Sequence, residues 1–200
     1  NIVDICGTIS RTVFIILVGI SINLFKSNKE TNKKSKKPYL TLLGALVISL
    51  FTYILLPEKH IIYFGVLHFI ALITIILQYV TCDTKMSIII LIISLFLKDY
   101  MLTITPSDNI INLMLGSYTK TRFPLDTFPI FTWLPYVAFG MIIGDFLKNT
   151  PGLQNKFTLE NLEFKNMNIF KPIIFVGKKS LFLYVMHIIP CIFWLSSKYK

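Results

Sequence analysis

A chain of 200 residues that is 54% hydrophobic, with a mean hydropathy of +0.67, carries too much apolar surface for a soluble globular domain. Its net charge of +10 would suit nucleic acid, but the lysines fall in short runs between apolar stretches, with no amphipathic face of stacking aromatics, so no nucleic-acid partner is expected. The three cysteines, Cys6, Cys82 and Cys191, lie far apart without metal-ligand spacing, which indicates neither a metal site nor a disulfide framework; a Cys6–Cys191 bridge has only weak motivation.

Crossing a hydrocarbon core about 30 Å thick takes about 20 mostly apolar residues. Six stretches qualify, at 2–25, 39–56, 61–80, 86–104, 129–147 and 178–195, so the expected fold is an all-α polytopic bundle forming one integral membrane domain over 1–200. The chain starts at Asn1 with no initiator methionine or signal-peptide pattern and runs straight into an apolar span, which reads as a fragment of a longer protein. On that first span Asp4, Thr8 and Arg11 recur at i, i+4 and i+7 on one face, with Gly19 and Ser21 further in. Asp4 and Arg11 are about 10 Å apart along the axis, so either each pairs with another helix, or Arg11 snorkels to the outer surface and Asp4 sits in solvent.

The third span opens Tyr63-Phe64-Gly65-Val66-Leu67-His68, placing His68 about two turns inside the boundary with Gly65 one turn above it. Such a histidine can shuttle a proton or hold a substrate; the plainer reading is a structural histidine bonded across a helix pair. In the fourth span Lys98 and Asp99 point about 100° apart and cannot neutralise each other. The favoured reading ends that helix at Leu97 and leaves the pair interfacial; the other keeps the helix going, with a separate partner for each charge.

A loop over 105–128 leads to Pro124, Pro129 and Pro135, with Phe128, Phe131, Trp133 and Tyr136 as an interfacial aromatic belt. Asp126 in this loop is either a general base or hydroxyl acceptor, or simply solvated. Below it, Gly140 and Gly144 form a small-xxx-small face for a close contact within the chain or between copies in a homo-oligomer. A polar stretch over 149–170 includes Phe157, Leu159, Leu162 and Phe164, which suit the membrane interface. In the last span Ser180, Tyr184, His187 and Cys191 recur at i, i+4, i+7 and i+11, a polar stripe that must face protein or a water-filled passage.

The run Lys26, Lys29, Lys33, Lys34, Lys36 and Lys37 is expected on the cytoplasmic side of the cell membrane. Alternation over six spans then places Lys148, Lys156, Lys165, Lys171, Lys178 and Lys179 on that same side. Lys59, Lys120, Arg122, Lys198 and Lys200 fall outside.

Four passages carry a family resemblance: the run from Arg11 to Ser21; Tyr63-Phe64-Gly65-Val66-Leu67-His68-Phe69-Ile70; Phe123-Pro124-Leu125 with Trp133-Leu134-Pro135-Tyr136 and Gly140 through Gly144; and Gly177-Lys178-Lys179-Ser180-Leu181 with Tyr184 and His187. In this order they resemble the heparan-alpha-glucosaminide N-acetyltransferase catalytic-domain family of multi-pass membrane proteins. The resemblance implies transfer of an acetyl or other acyl group from cytoplasmic acyl-CoA, as co-substrate, to an acceptor on the outer side. In the animal enzyme the histidine tied to catalysis precedes the region matching 11–25, and that family's first span is not matched in this sequence, so that histidine is not carried over onto any residue here. Within the chain, His187 and His68 are the candidate bases, with Asp126 and Arg11 as further catalytic candidates. Ser180 and Tyr184 can orient an imidazole or hold an oxyanion, Trp133 and Tyr136 can wall the passage, and Lys178 and Lys179 can meet CoA phosphates, although topology lysines would look the same. The rival readings are a small-solute or lipid transporter and a non-catalytic structural membrane subunit.

Overall fold

The structure, a computed structural model, describes residues 2–27, 36–57, 60–80, 83–107, 109–119, 126–150, 186, 190 and 197. Among them six helices follow in order: α1 (Ile2–Ser27), α2 (Lys37–Leu55), α3 (Val66–Leu77), α4 (Thr84–Thr103), α5 (Ile110–Leu115) and α6 (Ile130–Asn149). Four of these, α1, α2, α4 and α6, are long and apolar enough to cross a membrane. Their outward faces are those of a protein solvated by lipid. Leu102 of α4 is 75% exposed, Phe96 73%, and Ile54 of α2 68%, an array that would drive aggregation in water. The chain is therefore an all-α polytopic membrane protein. Apart from Met186 and Pro190, the expected span over 178–195 lies outside the described residues.

α3 is shorter than the stretch expected over 61–80. Its 12 residues rise only about 18 Å. The cause is visible in where the preceding backbone groups go. Ile62 donates its N–H to the Thr52 hydroxyl at 3.3 Å and accepts from the Ser49 hydroxyl at 2.6 Å, both on α2. The Phe64 carbonyl accepts the Phe128 N–H at 3.1 Å. These groups are committed to neighbours before a helical ladder can form, and the helix begins only after the extended Gly65.

Two further differences concern α4 and the loop after it. The helix continues through Lys98 and Asp99 to Thr103, contrary to the reading that ended it at Leu97. Lys98 stays within the helix because its stem can carry the ammonium to 6.0 Å above the Tyr136 ring, while Asp99 is exposed. Inside the expected loop lies α5, started by Asn109, whose side chain accepts the Ile111 N–H at 3.1 Å, and stopped by Gly116 at φ 122°.

In packing, α6 lies between α1 and α4, while α2 pairs with α3. The main core joins Ile15 and Ile22 of α1, Phe69, Ile73 and Leu77 of α3, Leu113 of α5, and Val137 and Met141 of α6. α2 adds a smaller cluster of Ala45 and Ile48 against Leu67. The helices alternate direction, so Tyr39, Tyr79, Thr84 and Asp145 share one end of the bundle, called here the Lys37 end. Gly65, Asp126 and Phe128 share the other, the Asp126 end.

The α1–α6 contact is made by backbone. A Cβ on Gly19 would collide with the Val137 carbonyl oxygen and lie 3.0 Å from the Gly140 Cα; one on Gly140 would collide with the Ile16 carbonyl oxygen. One turn on, Gly144 faces Ile20 and Asn23, and the buried Asn23 amide donates to the Met141 carbonyl at 2.9 Å. The Gly140–Gly144 face thus packs within the chain. Replacing Gly140 with leucine is expected to lower the stability of the detergent-solubilised protein by about 1–3 kcal/mol or more, because the obstacle is backbone that cannot yield. Leucine at the lipid-exposed Phe139 should leave thermal unfolding within about 0.5 kcal/mol of the parent, as for a surface change.

Candidate functional site at the start of the third helix

At the Asp126 end, His68 sits on the first turn of α3, 7% exposed. The Gly65 N–H donates to its Nδ1 at 3.3 Å, and its Nε2 lies 3.2 Å from the Ser49 hydroxyl. A lone pair committed on Nδ1 puts the proton on Nε2, so Nε2–H donates to Ser49, whose hydroxyl passes its own hydrogen to the Ile62 carbonyl. This chain, Gly65 to His68 to Ser49 to Ile62, uses both ring nitrogens within the protein. The imidazole takes the place of a Glu or Gln in one half of a capping box, reaching back to the N-cap N–H, while Gly65 has no side chain to return a bond.

Asp126 completes the cap from the other side. Its Oδ2 accepts the Val66 N–H at 3.4 Å, placing a carboxylate at the positive end of α3. It adopts φ 39°, a left-handed conformation that aspartate tolerates better than most residues. A Cβ at 65 would lie 2.5 Å from the Asp126 carboxylate and 3.0 Å from the Ile62 Cγ2, so any other residue there would push the carboxylate off the helix start. Between His68 and Asp126 remains a space of about 10 Å³, no more than one water's worth. On its other side His68 lines an apolar groove of about 490 Å³, with Ser49, Tyr53, Tyr63 and Leu72 among its walls.

Three of the four aromatics expected to form a belt, Phe128, Trp133 and Tyr136, stack inward as a ladder. Phe128 and Trp133 stack at 5.0 Å, Trp133 and Tyr136 meet at 5.7 Å, and the half-buried rings pack on the core beside Phe69. Pro135 sits inside α6 between them. Arg11 is exposed on α1, its guanidinium beside Gly7 and away from the His68 chain of hydrogen bonds. Of the expected site residues, the structure brings His68 and Asp126 to one helix start and Trp133 and Tyr136 to one ladder. Lys178, Lys179, Ser180, Tyr184 and His187 lie outside the described residues.

Two sets of polar residues escaped the sequence reading. Ser49 and Thr52 on α2 hold the backbone of Ile62; with Ala45 they make a stripe of small and hydroxyl side chains at i, i+4 and i+7, a readable signal. Asp145 on α6 is 6% exposed and accepts from the Thr84 hydroxyl and, at 3.3 Å, from the Asn149 amide. As the one carboxylate in the stretch 129–147 it could have been singled out. It faces the first turn of α4, where the helix dipole favours a negative charge. Among the described residues no group of three or more His, Cys, Asp or Glu could hold a metal.

A double-mutant cycle tests the His68 chain. His68→Phe is expected to cost about 1–3 kcal/mol in unfolding, through the Gly65 N–H left without an acceptor and the Ser49 hydroxyl left without its donor. Adding Ser49→Ala in that background should cost clearly less than Ser49→Ala alone; strictly additive values would show that the two side chains do not work together.

A family model described as "Heparan-alpha-glucosaminide N-acetyltransferase, catalytic" matches residues 1–189. No curated protein and no solved structure matched the chain. The matched region includes α1 through α6 with the His68–Asp126 helix start, in the order in which the four resembling passages occur. The chain belongs to the heparan-alpha-glucosaminide N-acetyltransferase catalytic-domain family.

Proposed function

We propose that this chain is the membrane-embedded part of an acyltransferase that takes an acetyl or other acyl group from cytoplasmic acyl-CoA and passes it to an acceptor on the outer side, an envelope sugar or glycan. The observation that carries the reading is the family match over residues 1–189. The lysine run at 26–37 supports a cytoplasmic Lys37 end, and the Asp126 end then receives the acceptor.

In the reaction the acceptor's oxygen or nitrogen forms a bond to the thioester carbonyl carbon, and the carbon–sulfur bond breaks. The electron pair leaves on sulfur. The acceptor's proton passes to a base and finally to the thiolate, giving free CoA. His68 is a positioning residue in this scheme, because both its ring nitrogens are committed within the protein. Asp126, half-buried at a helix start, is suited to accept a hydrogen bond from the acceptor's hydroxyl or amine. The base in this reading is His187, which shares a sequence stripe with Ser180 and Tyr184, and Lys178 and Lys179 meet the CoA phosphates. Trp133 and Tyr136 shape the passage, and Arg11 supplies positive charge at the acceptor end.

Membranes carrying the full-length protein, incubated with labelled acetyl-CoA and an envelope glycan fraction, are expected to release CoA and label the glycan. His187→Ala should lower kcat/KM at least about 100-fold, the usual scale of a lost general base. Asp126→Asn should raise the acceptor KM about tenfold or more with the acetyl-CoA KM unchanged. His68→Phe should reduce the folded yield far more than the turnover of the folded fraction. CoA release that never exceeds that of control membranes sinks the acyltransferase reading, and solute uptake into proteoliposomes would promote the transporter in its place.

A further inference from the structure

A crevice of about 470 Å³ runs between α1 and α2 over α3, near the Lys37 end. Its sides are Phe14, Leu17 and Val18 of α1, with Ile70 of α3 deeper in; Lys37 and Pro38 close the end at the start of α2. Leu17 is 55% exposed, so the crevice opens sideways, through a wall that faces lipid. A ligand entering there comes from the bilayer.

The polar groups lie at one end only. Thr74 spends its hydroxyl on the Ile70 carbonyl at 2.6 Å. Gln78, which also lines the crevice, has its side-chain nitrogen and oxygen both buried with no hydrogen-bond partner. Native proteins rarely leave an amide so, and a donor and an acceptor waiting side by side imply a ligand that supplies their complements. Beside it, the hydroxyls of Tyr39 and Tyr79 lie 3.3 Å apart, and tyrosine is enriched at the headgroup level of a membrane. Lys36 and Lys37 are exposed at the positive end of the 19-residue α2, whose N-cap makes no side-chain hydrogen bond. Ile70 lies eight residues back along α3 from Gln78, about 12 Å deeper toward the apolar middle.

Charge outermost, then a hydrogen-bonding amide, then an apolar channel is the order of groups in a phospholipid. The geometry points to a binding site for one anionic phospholipid of the leaflet at the Lys37 end. Its phosphate lies against Lys36, Lys37 and the start of α2. Gln78 Nε2 donates to an ester carbonyl, Gln78 Oε1 accepts from a headgroup hydroxyl, and one acyl chain follows Leu17, Val18 and Ile70. The lipid fills the gap left because α2 packs mainly on α3, and this holds whether or not the protein transfers acyl groups.

The test uses the full-length protein, delipidated in mild detergent and then given phosphatidylglycerol, phosphatidylcholine or palmitoyl-CoA, with native mass spectrometry and thermal unfolding as readouts. The wild type is expected to retain one phosphatidylglycerol and to gain more thermal stability from it than from phosphatidylcholine. Gln78→Leu, which removes an unsatisfied amide and so folds at least as well, should retain phosphatidylglycerol at least fivefold less. The Lys36→Gln, Lys37→Gln double variant should lose the preference for phosphatidylglycerol over phosphatidylcholine while still binding lipid, and Val18→Trp, which fills the crevice, should retain neither. Equal retention of the two lipids by the wild type, unchanged retention in Gln78→Leu, or preferential retention of palmitoyl-CoA overturns the proposal.

Discussion

The bundle depends on the backbone contact between α1 and α6. Gly19, Gly140 and Gly144 remove side chains from the crossing, so that the carbonyls of Ile16 and Val137 meet the opposite helix directly. In lipid there is little hydrophobic gain from bringing two apolar helices together, and close packing with interhelical hydrogen bonds must do the work. Asn23 adds one such bond, to Met141. With α6 placed, the rest follows: α4 attaches through Asp145 with Thr84 and through Lys98 over Tyr136, and the residues before α6 deliver Phe128 and Asp126 to the start of α3.

That delivery explains an otherwise odd element. A 12-residue apolar helix cannot cross the bilayer alone, and its first turn needs partners that lipid cannot supply. Two neighbours and a side chain of the helix itself provide them. α2 contributes Ser49 and Thr52, the approach to α6 contributes Phe128 and Asp126, and His68 folds back onto Gly65. The same polar groups that make this place resemble an active site are first of all what lets a helix begin inside the protein, and this is why His68 is assigned a positioning role.

The two ends of the bundle differ in chemistry. The Asp126 end is tightly knit, with hydrogen bonds closing the space between His68 and Asp126 to one water's worth. Toward the Lys37 end, α2 leans on α3 and leaves a crevice against α1. Apolar walls and unanswered polar groups occur together there, as a membrane protein requires of a place that holds an amphiphile.

Much of the fold was legible in the chain. Apolar runs of bilayer length locate four of the helices to within a few residues, the Gly140–Gly144 spacing reads as a packing face, and the passages around Arg11, His68 and Trp133 resemble the family that the match over 1–189 establishes. These are local properties: length, hydropathy and residue order set them without reference to neighbours. Where a helix starts, which charge stays inside one, and which hydroxyl completes a histidine's hydrogen bonds depend on groups far away in sequence. Residues 61–65 read as apolar helix, yet their backbone is claimed by Ser49, Thr52 and Phe128; Lys98 reads as a helix stop until Tyr136 stands opposite it; Asp126 reads as a solvated loop residue until it meets Val66. Sequence alone determined that this is a helical membrane protein of this family, because burial in lipid constrains composition residue by residue. Only the tertiary structure decided which polar groups meet, because hydrogen bonds between distant segments leave no periodic trace along the chain.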